Sequence, residues 1–145
     1  DLFPNVKDRL FTVGRLDKDT TGLLIVTNDG HLSNQIIHPR SNIEKEYLVA
    51  TDKFINEDDL KALSRGVYID KRLVTPVRVK KVRKNKVKIT VKEGKKHEVR
   101  LMVKAAGMKV KALSRVRIGC LTLGHIPLGT YKQVDRPHLE TLFDK

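Results

Sequence analysis

A short apolar run that follows a polar loop constrains the fold of this chain more than any other feature. Residues 23–26 read Leu-Leu-Ile-Val, which has the length and branched composition of a buried strand. The loop before it, residues 14–22, carries the cation Arg15 and the carboxylate Asp17 between two glycines. Because loops that lead into rigid buried strands often carry functional side chains, Asp17 is the first candidate for a reactive group.

The positive charge of the chain is large and unevenly distributed. The 145 residues have a net charge of +13. Residues 1–70 hold 9 basic and 12 acidic residues, whereas residues 71–145 hold 21 and 5. This asymmetry indicates a polyanionic partner bound through its phosphates, since a surface that only promotes solubility does not require it. An anionic membrane would require a basic amphipathic helix with bulky apolar anchors, which the sequence lacks.

Size and composition exclude several other classes of protein. The length suits one domain with its own core, and no apolar run approaches the roughly 20 residues of a membrane span. The start of the chain has no basic region typical of a signal peptide. The single cysteine excludes an internal disulfide and suits a reducing cytoplasm, and the five histidines have no zinc-ligand spacing.

Helix and strand signals are mixed along the chain. Four segments have the capping residues and apolar spacing of helices. They are residues 30–37 after Asn28, residues 57–65 between Asn56 and Gly66, residues 97–106 before Gly107, and residues 136–144 from Pro137. Strands are predicted at residues 11–13, 23–26, 44–51, 67–75, 76–83, 87–92 and 110–118. The 67–75 segment is interrupted at Asp70-Lys71. The pattern predicts an α+β fold with a mixed, largely antiparallel twisted sheet flanked by helices.

Four side chains have chemistry beyond packing: Arg15, Asp17, Tyr47 and Arg100. None is specific alone. An Asp in a glycine-containing loop is more often a turn former, a Tyr on an alternating strand is more often part of the core, and a helical Arg is more often a surface charge. Their order and their surrounding motifs carry more information than the residue types.

The chain resembles the pseudouridine synthases of the RsuA/RluB-like branch, which modify ribosomal RNA. Four motifs in the family's order carry the resemblance. They are GRLDKDTTGLLIVTNDG at residues 14–30, EKEYLV at 44–49, GKKHEVRLM at 94–102, and LSRVRIG at 113–119 followed by Leu121 and Leu123. The segment GTYK at 129–132 departs from the G-x-W-R-like segment of the family but keeps an aromatic ring and a cation.

The resemblance implies a role for each site residue. Asp17 corresponds to the catalytic carboxylate, and Arg100 to the basic residue that pairs with it. Tyr47 is expected to stack on the target base and to handle the proton at its carbon 5. Leu113 is expected in the pocket wall, and Arg15 is expected to fill the gap left by a flipped base.

Further cations are expected to contact RNA. Within the motifs they are Lys96, His97, Arg115 and Arg117. The cations of residues 78–88 and 109–117 lie on alternating strands and can follow a phosphate backbone, although much of such a row is usually only solvated.

The resemblance also implies the reaction and its setting. The expected activity is isomerisation of a specific uridine in ribosomal RNA, with no cofactor and no metal. The Glu98-Val99-Arg100 variant favours large-subunit RNA, and a cytoplasmic monomer is expected. Residues 1–145 would be a catalytic domain that lacks the family's N-terminal RNA-binding domain and a preceding strand segment, so the sheet is expected to lack its first strand.

Two alternatives have different requirements. A non-catalytic, basic RNA-binding or ribosome-associated module would account for the charge, but it gives no reason for a carboxylate within the GRLD loop. A metal-dependent nuclease would require several clustered carboxylates, whereas the loop supplies only Asp17 and Asp19.

Overall fold

The computed structural model describes residues 10–38, 41–92 and 97–134. Three helices are present in these ranges: α1 (Gly30–Ile37), α2 (Glu57–Arg65) and α3 (Glu98–Ala105). The strands are β1 (Phe11–Val13), β2 (Thr20–Gly22), β3 (Ile25–Thr27), β4 (Lys45–Thr51), β5 (Val67–Ile69), β6 (Arg72–Val74), β7 (Arg78–Arg83), β8 (Lys86–Val91), β9 (Val110–Ile118) and β10 (Leu121–Thr122).

A six-stranded sheet forms the centre of the fold. Its order is β10-β9-β4-β8-β7, and β2 also pairs with β9, at residues other than those that pair with β10. The β2–β9 pairing is parallel, and the other pairings are antiparallel. Two smaller two-stranded sheets, β1–β3 and β5–β6, lie outside this sheet. The predicted α+β class with a largely antiparallel sheet is confirmed.

A bulge in β9 shifts the alternation of its side chains between the two faces of the sheet. Glu46 lies opposite Arg117, whereas the next residue of β4, Tyr47, lies opposite Arg115, so one residue of β9 has no counterpart. Directly opposed residues share a face of the sheet, and consecutive residues alternate. The bulge therefore places Arg115 and Arg117 on opposite faces, a common effect of bulges near functional sites.

Two apolar clusters form the core. The larger one joins β4, β8 and β9 to α2 and α3, with the fully buried Val49, Leu63 and Val103 among its members. The smaller one joins β1, β3 and α1 to the end of β9, through residues such as Ile36 and Ile118. No helix of the described ranges has the length and apolar character needed to cross a membrane.

The second helix matches its sequence signals closely. The side chain of Asn56 accepts a hydrogen bond from the backbone of Asp59, and the side chain of Asp59 accepts one from the backbone of Asn56, both at 2.9 Å. This reciprocal capping box stabilises the first turn. Gly66, with φ of 77°, ends the helix as predicted. The 110–118 strand also has its predicted limits.

Two local predictions were wrong. Residues 23–26 do not form one strand, because Thr20–Gly22 pairs with β9 and a separate strand begins at Ile25. The chain turns at Gly22, whose φ is 114°. The cap of α1 is Asp29 rather than Asn28, since its Oδ1 accepts a hydrogen bond from the backbone of Leu32. The helix predicted over 136–144 lies outside the described residues.

Candidate active site

A polar pocket opens where the two apolar clusters meet. Its volume is about 240 Å³. Its walls include Ile36 and Ile118 from the smaller cluster, and Val99 and Leu113 from the larger one. The polar side chains that line it come from four parts of the chain: Arg15, Asp17, Thr20, Lys45, Tyr47, His97, Glu98, Arg100 and Arg115. The fold thus gathers most of the predicted site residues in one place.

The carboxylate of Asp17 is held by an imidazole. Nδ1 of His97 lies 3.0 Å from Oδ2 of Asp17. His97 precedes α3 at its cap position, with the left-handed φ of 57°, and its side chain makes no capping hydrogen bond. The backbone conformation, which is unusual for a residue with a Cβ, leaves the ring available to Asp17.

The backbone of the Asp17 loop is held in two places. The carbonyl oxygen of Asp17 accepts a hydrogen bond from the backbone N–H of Thr20 at 2.9 Å, which closes a tight turn. Nη2 of Arg100 donates to the carbonyl oxygen of Asp19 at 2.8 Å. The expected ion pair between Arg100 and Asp17 is therefore replaced by two contacts from α3, with His97 on the carboxylate and Arg100 on the backbone.

Tyr47 lies beside this loop on the face of β4 that packs against α3. Burial raises the pKa of its phenol above the ordinary value of 10.0. The charge of Arg115 and its hydrogen bonding to the phenol oppose this rise, and the charges of Glu98 and Asp17 add to it. The phenol is therefore neutral near pH 7, which suits a ring that contacts an uncharged base.

Comparison with known proteins identifies the family of this chain. The model of the RNA pseudouridylate synthase family matches residues 2–105, well over half of the chain. The chain belongs to the RNA pseudouridine synthase family. This confirms the family prediction, and the named relatives support its RsuA/RluB-like branch.

Several relatives resemble nearly the whole chain. An uncharacterized RNA pseudouridine synthase of Aquifex aeolicus is 38% identical, with 99% of this chain and 59% of the relative aligned. The putative chloroplastic large-subunit pseudouridine synthase SVR1 of Arabidopsis thaliana is 40% identical, over 94% and 35%. The dual-specificity RNA pseudouridine synthase RluF of Escherichia coli is 39% identical, over 97% and 49%. The chain thus spans about a third to three fifths of the length of these relatives.

Solved structures agree with the family assignment. A crystal structure of a pseudouridylate synthase superposes with a TM-score of 0.85 at 34% identity, covering 92% of this chain and 59% of that one. The crystal structure of a Cbf5-Nop10-Gar1 complex superposes with a TM-score of 0.52 at 18% identity. The second likeness concerns the fold alone.

Two predicted RNA contacts, Arg115 and Arg117, have partners inside the protein. Arg115 is only 5% exposed, and its Nε donates to the carbonyl oxygen of Leu23 at 2.8 Å. Arg117, on the opposite face, pairs with Glu44 at 3.0 Å and with Glu46 at 3.5 Å. Arg117 is thereby separated from the pocket, whereas Arg115 lines it. A role for either residue in RNA binding stays a prediction.

The remaining predicted residues have distinct positions. Leu113 is buried, at 4% exposure, and lines the pocket, as a wall residue would. Arg15 is exposed and lines the same pocket. Lys96 lies outside the described residues. Within the described ranges, no group of three or more His, Cys, Asp or Glu residues is arranged to hold a metal ion.

Sequence reasoning gave no role to Lys45, Thr20 or Glu98, which also line the pocket. Lys45 lies two residues before Tyr47 in the EKEYLV motif. Because residues two apart on a strand share a face, this spacing could have indicated that Lys45 lies beside Tyr47. Burial and the charge of Arg115 lower the pKa of Lys45, and the charge of Glu98 opposes that effect. The pocket therefore contains a second cation close to Tyr47 and Arg115.

Proposed function

We propose that this protein isomerises a uridine of ribosomal RNA to pseudouridine, with Asp17 as the reacting carboxylate. The observation that carries this proposal is the position of Asp17 in the pocket, with its Oδ2 3.0 Å from Nδ1 of His97 and Tyr47 on the adjacent wall. Membership of the RNA pseudouridine synthase family supports the choice of reaction.

The reaction requires an oriented carboxylate and no redox change. The glycosidic C–N bond must break, the uracil must turn, and its carbon 5 must join the sugar. An ionised carboxylate can act as the nucleophile toward either carbon 6 of the base or the anomeric carbon of the ribose. The 3.0 Å contact from Nδ1 of His97 orients the Asp17 carboxylate, and the hydrogen bond from Arg100 to Asp19 fixes the loop that carries it.

A uridine inside folded RNA must leave its stack to reach this pocket. Extrusion costs a few kcal/mol of stacking and pairing. The flat ring of Tyr47 can stack on the extruded base, and the exposed Arg15 at the same pocket can occupy the space that the base leaves. These contacts offset the cost of extrusion, as cationic contacts to phosphates also do.

The name of one relative guides the choice of substrate. SVR1 is named as a putative ribosomal large-subunit enzyme, which supports large-subunit RNA as the substrate here. We assign residues 1–145 to the catalytic domain of a monomer that acts in the cytoplasm, where ribosomal RNA is available. The net charge of +13 supports binding to RNA.

Replacement of Asp17 by Asn tests the reaction. The assay measures release of tritium from ribosomal RNA whose uridines carry tritium at carbon 5, together with chemical mapping of pseudouridine. Asp17→Asn should reduce the rate at least about 1000-fold, because the nucleophile is lost, while RNA affinity stays within about threefold. Modification by Asp17→Asn at the wild-type rate would refute the assignment of Asp17.

The matched control is Asp19→Asn in the same loop. Only the backbone carbonyl of Asp19 is used by Arg100, so this variant should retain wild-type activity. It also tests the metal-dependent nuclease, which would need both carboxylates and would cleave the RNA. A non-catalytic RNA-binding module, which the charge alone would support, predicts RNA binding without tritium release by the wild-type protein.

A further inference from the structure

We propose that Lys45 and Arg115 form a cationic wall of the pocket that binds a carbonyl oxygen of the target uracil and stabilises the negative charge that develops on the base. This inference rests on the proposed function, because it assigns the contacts of the base in the same pocket. Both side chains line that pocket, and neither is needed for the contacts that hold Asp17.

The register of the sheet brings the two cations together. Lys45 and Tyr47 are two residues apart on β4, so their side chains leave the same face. Arg115 lies opposite Tyr47 on β9, and the bulge after Glu46 is what returns Arg115 to that face. Lys45, Tyr47 and Arg115 therefore share the face of the sheet that lines the pocket.

Arg115 has a donor with no acceptor. The residue is 5% exposed, and Nη2 has no hydrogen-bond partner among the described residues, although Nε donates to the carbonyl oxygen of Leu23. A buried donor without a partner is costly in the free protein. Because Arg115 lines the pocket, a small shift of its guanidinium group toward a bound base would give Nη2 an acceptor, and a uracil carbonyl oxygen is such an acceptor.

Lys45 is also available to a ligand. Among the described residues, the ammonium group of Lys45 forms no ion pair, whereas Lys53 and Lys88 are each paired with a carboxylate. Burial, and then the charge of Arg115, lower the pKa of Lys45 below its ordinary value of 10.5, whereas the charge of the buried Glu98 opposes this and favours the protonated form. A cation in this position can donate to the base without first breaking an ion pair.

The chemistry creates negative charge at the position these donors face. If Asp17 attacks the anomeric carbon, a C–O bond forms while the C–N bond breaks, and its electron pair leaves on the uracil as an anion delocalised over both carbonyl oxygens. If Asp17 attacks carbon 6, the displaced π electrons form an enolate at a carbonyl oxygen. In both routes the C–N bond breaks, carbon 5 joins the anomeric carbon, and the bond to the Asp17 carboxylate breaks to return the free carboxylate. The proton at carbon 5 is then lost and N1 gains one from solvent.

Donors fixed beside a developing anion accelerate its formation. Loss of one such donor typically costs about 100- to 1000-fold in rate, and the loss falls on kcat because the interaction strengthens in the transition state. A phosphate contact behaves differently, since it changes affinity and the dependence of binding on salt concentration. This difference separates the proposed role of Lys45 from general RNA binding.

The test compares Lys45→Met with Lys45→Arg and with Lys61→Met, a control at an exposed lysine of α2. Tritium release from ribosomal RNA labelled at carbon 5 of uridine gives kcat and KM. Lys45→Met should lower kcat about 100-fold with KM within threefold, Lys45→Arg should recover at least tenfold of that loss, and Lys61→Met should match the wild type. A kcat for Lys45→Met within threefold of the wild type, or a loss confined to KM, would overturn the proposal.

A second measurement does not depend on turnover or on folding of a variant. Lysines of the wild-type protein are acylated with and without RNA, and the extent of reaction at each lysine is measured by mass spectrometry. RNA that contains uridine should shield Lys45 at least fivefold more than RNA of the same length in which cytidine replaces every uridine. Equal shielding by the two RNAs would overturn the proposal, whereas absent tritium release by the wild type would refute the proposed function separately.

Discussion

Nδ1 of His97 lies 3.0 Å from the carboxylate of Asp17. His97 itself precedes α3 and has a left-handed backbone conformation. The same helix contacts the Asp17 loop again one turn later, where Arg100 donates to the carbonyl oxygen of Asp19. The start of α3 thus fixes both the side chain and the backbone of the proposed catalytic loop. Residues that hold a reacting group in this way affect rate more than affinity.

Replacement of His97 by Gly should separate catalysis from stability. Gly accepts the φ of 57° at this position without a Cβ penalty, so the fold should be retained. Loss of the imidazole leaves the Asp17 carboxylate without its 3.0 Å contact, and kcat should fall about 10- to 100-fold. Kinetics of pseudouridine formation and urea unfolding measure the two effects.

His31→Ala provides the control for this experiment. His31 is exposed on α1, and its replacement should leave both the rate and the unfolding midpoint unchanged. If His97→Gly modified RNA as fast as the wild type, orientation of Asp17 by the imidazole would be excluded.

Arg100→Ala should reduce kcat more than RNA affinity. The guanidinium group holds the Asp17 loop through the carbonyl oxygen of Asp19, and a displacement of about 1 Å at a reacting group can cost about 100-fold in rate. Arg100→Lys should recover part of the rate, because an ammonium group can donate to the same carbonyl. An effect seen only in affinity, with a shallower dependence on salt, would instead make Arg100 a phosphate contact.

Gly22→Ala should destabilise the pairing of β2 with β9, which connects the Asp17 loop to the sheet. Gly22 has a φ of 114°, and a Cβ there would overlap the backbone carbonyl of Arg115 in the neighbouring strand. The expected loss in free energy of unfolding is at least about 2 kcal/mol, from strain and from displacement of β2. Urea denaturation monitored by circular dichroism measures this loss.

Gly107→Ala is the matched control for backbone strain. Gly107 has a φ of 84°, but a Cβ there would meet no atom within 4 Å. Its replacement should therefore cost only the conformational penalty, about 1 kcal/mol. Equal losses at the two glycines would show that the contact with Arg115 contributes nothing.

Local signals in the sequence predicted much of the fold. The limits of α2 followed from Asn56 and Gly66, and the limits of β9 followed from its alternation. The interrupted strand at residues 23–26 did not follow, because Thr20 pairs with Leu113 in a distant strand. Periodicity describes one segment at a time, whereas this pairing depends on where β9 lies.

The sequence predicted several of the residues that line the pocket, but it did not predict the contacts between them. Motif resemblance nominated Asp17, Tyr47 and Arg100, and the pocket contains all three. It did not indicate that His97 would pair with Asp17, since that contact needs an unusual backbone conformation. Alternation also could not predict that Arg115 and Arg117 lie on opposite faces of the sheet. Residues two apart share a face in a regular strand, and only the bulge in β9 changes this.

The capping box of α2 gives stability that depends on pH. The carboxylate of Asp59 accepts a hydrogen bond from the backbone of Asn56 and pairs with Lys53 at 2.9 Å. The pKa of Asp59 is lowered below its ordinary value of 3.8, chiefly by the backbone hydrogen bond from Asn56 and also by Lys53. Burial of the carboxyl group opposes this effect. A carboxyl group whose pKa is lower in the folded state stabilises that state above the unfolded pKa.

Asp59→Asn should therefore lower the free energy of unfolding by about 1 kcal/mol at pH 7, because the charged partner of Asn56 and Lys53 is lost. The difference from the wild type should shrink as the pH falls below 3.8 and Asp59 itself takes up a proton. Urea unfolding at pH 7 and near pH 3 measures it, with Asp58→Asn at the exposed neighbouring position as the control. A difference that persists undiminished at the lower pH would mean that the charge of Asp59 does not stabilise α2.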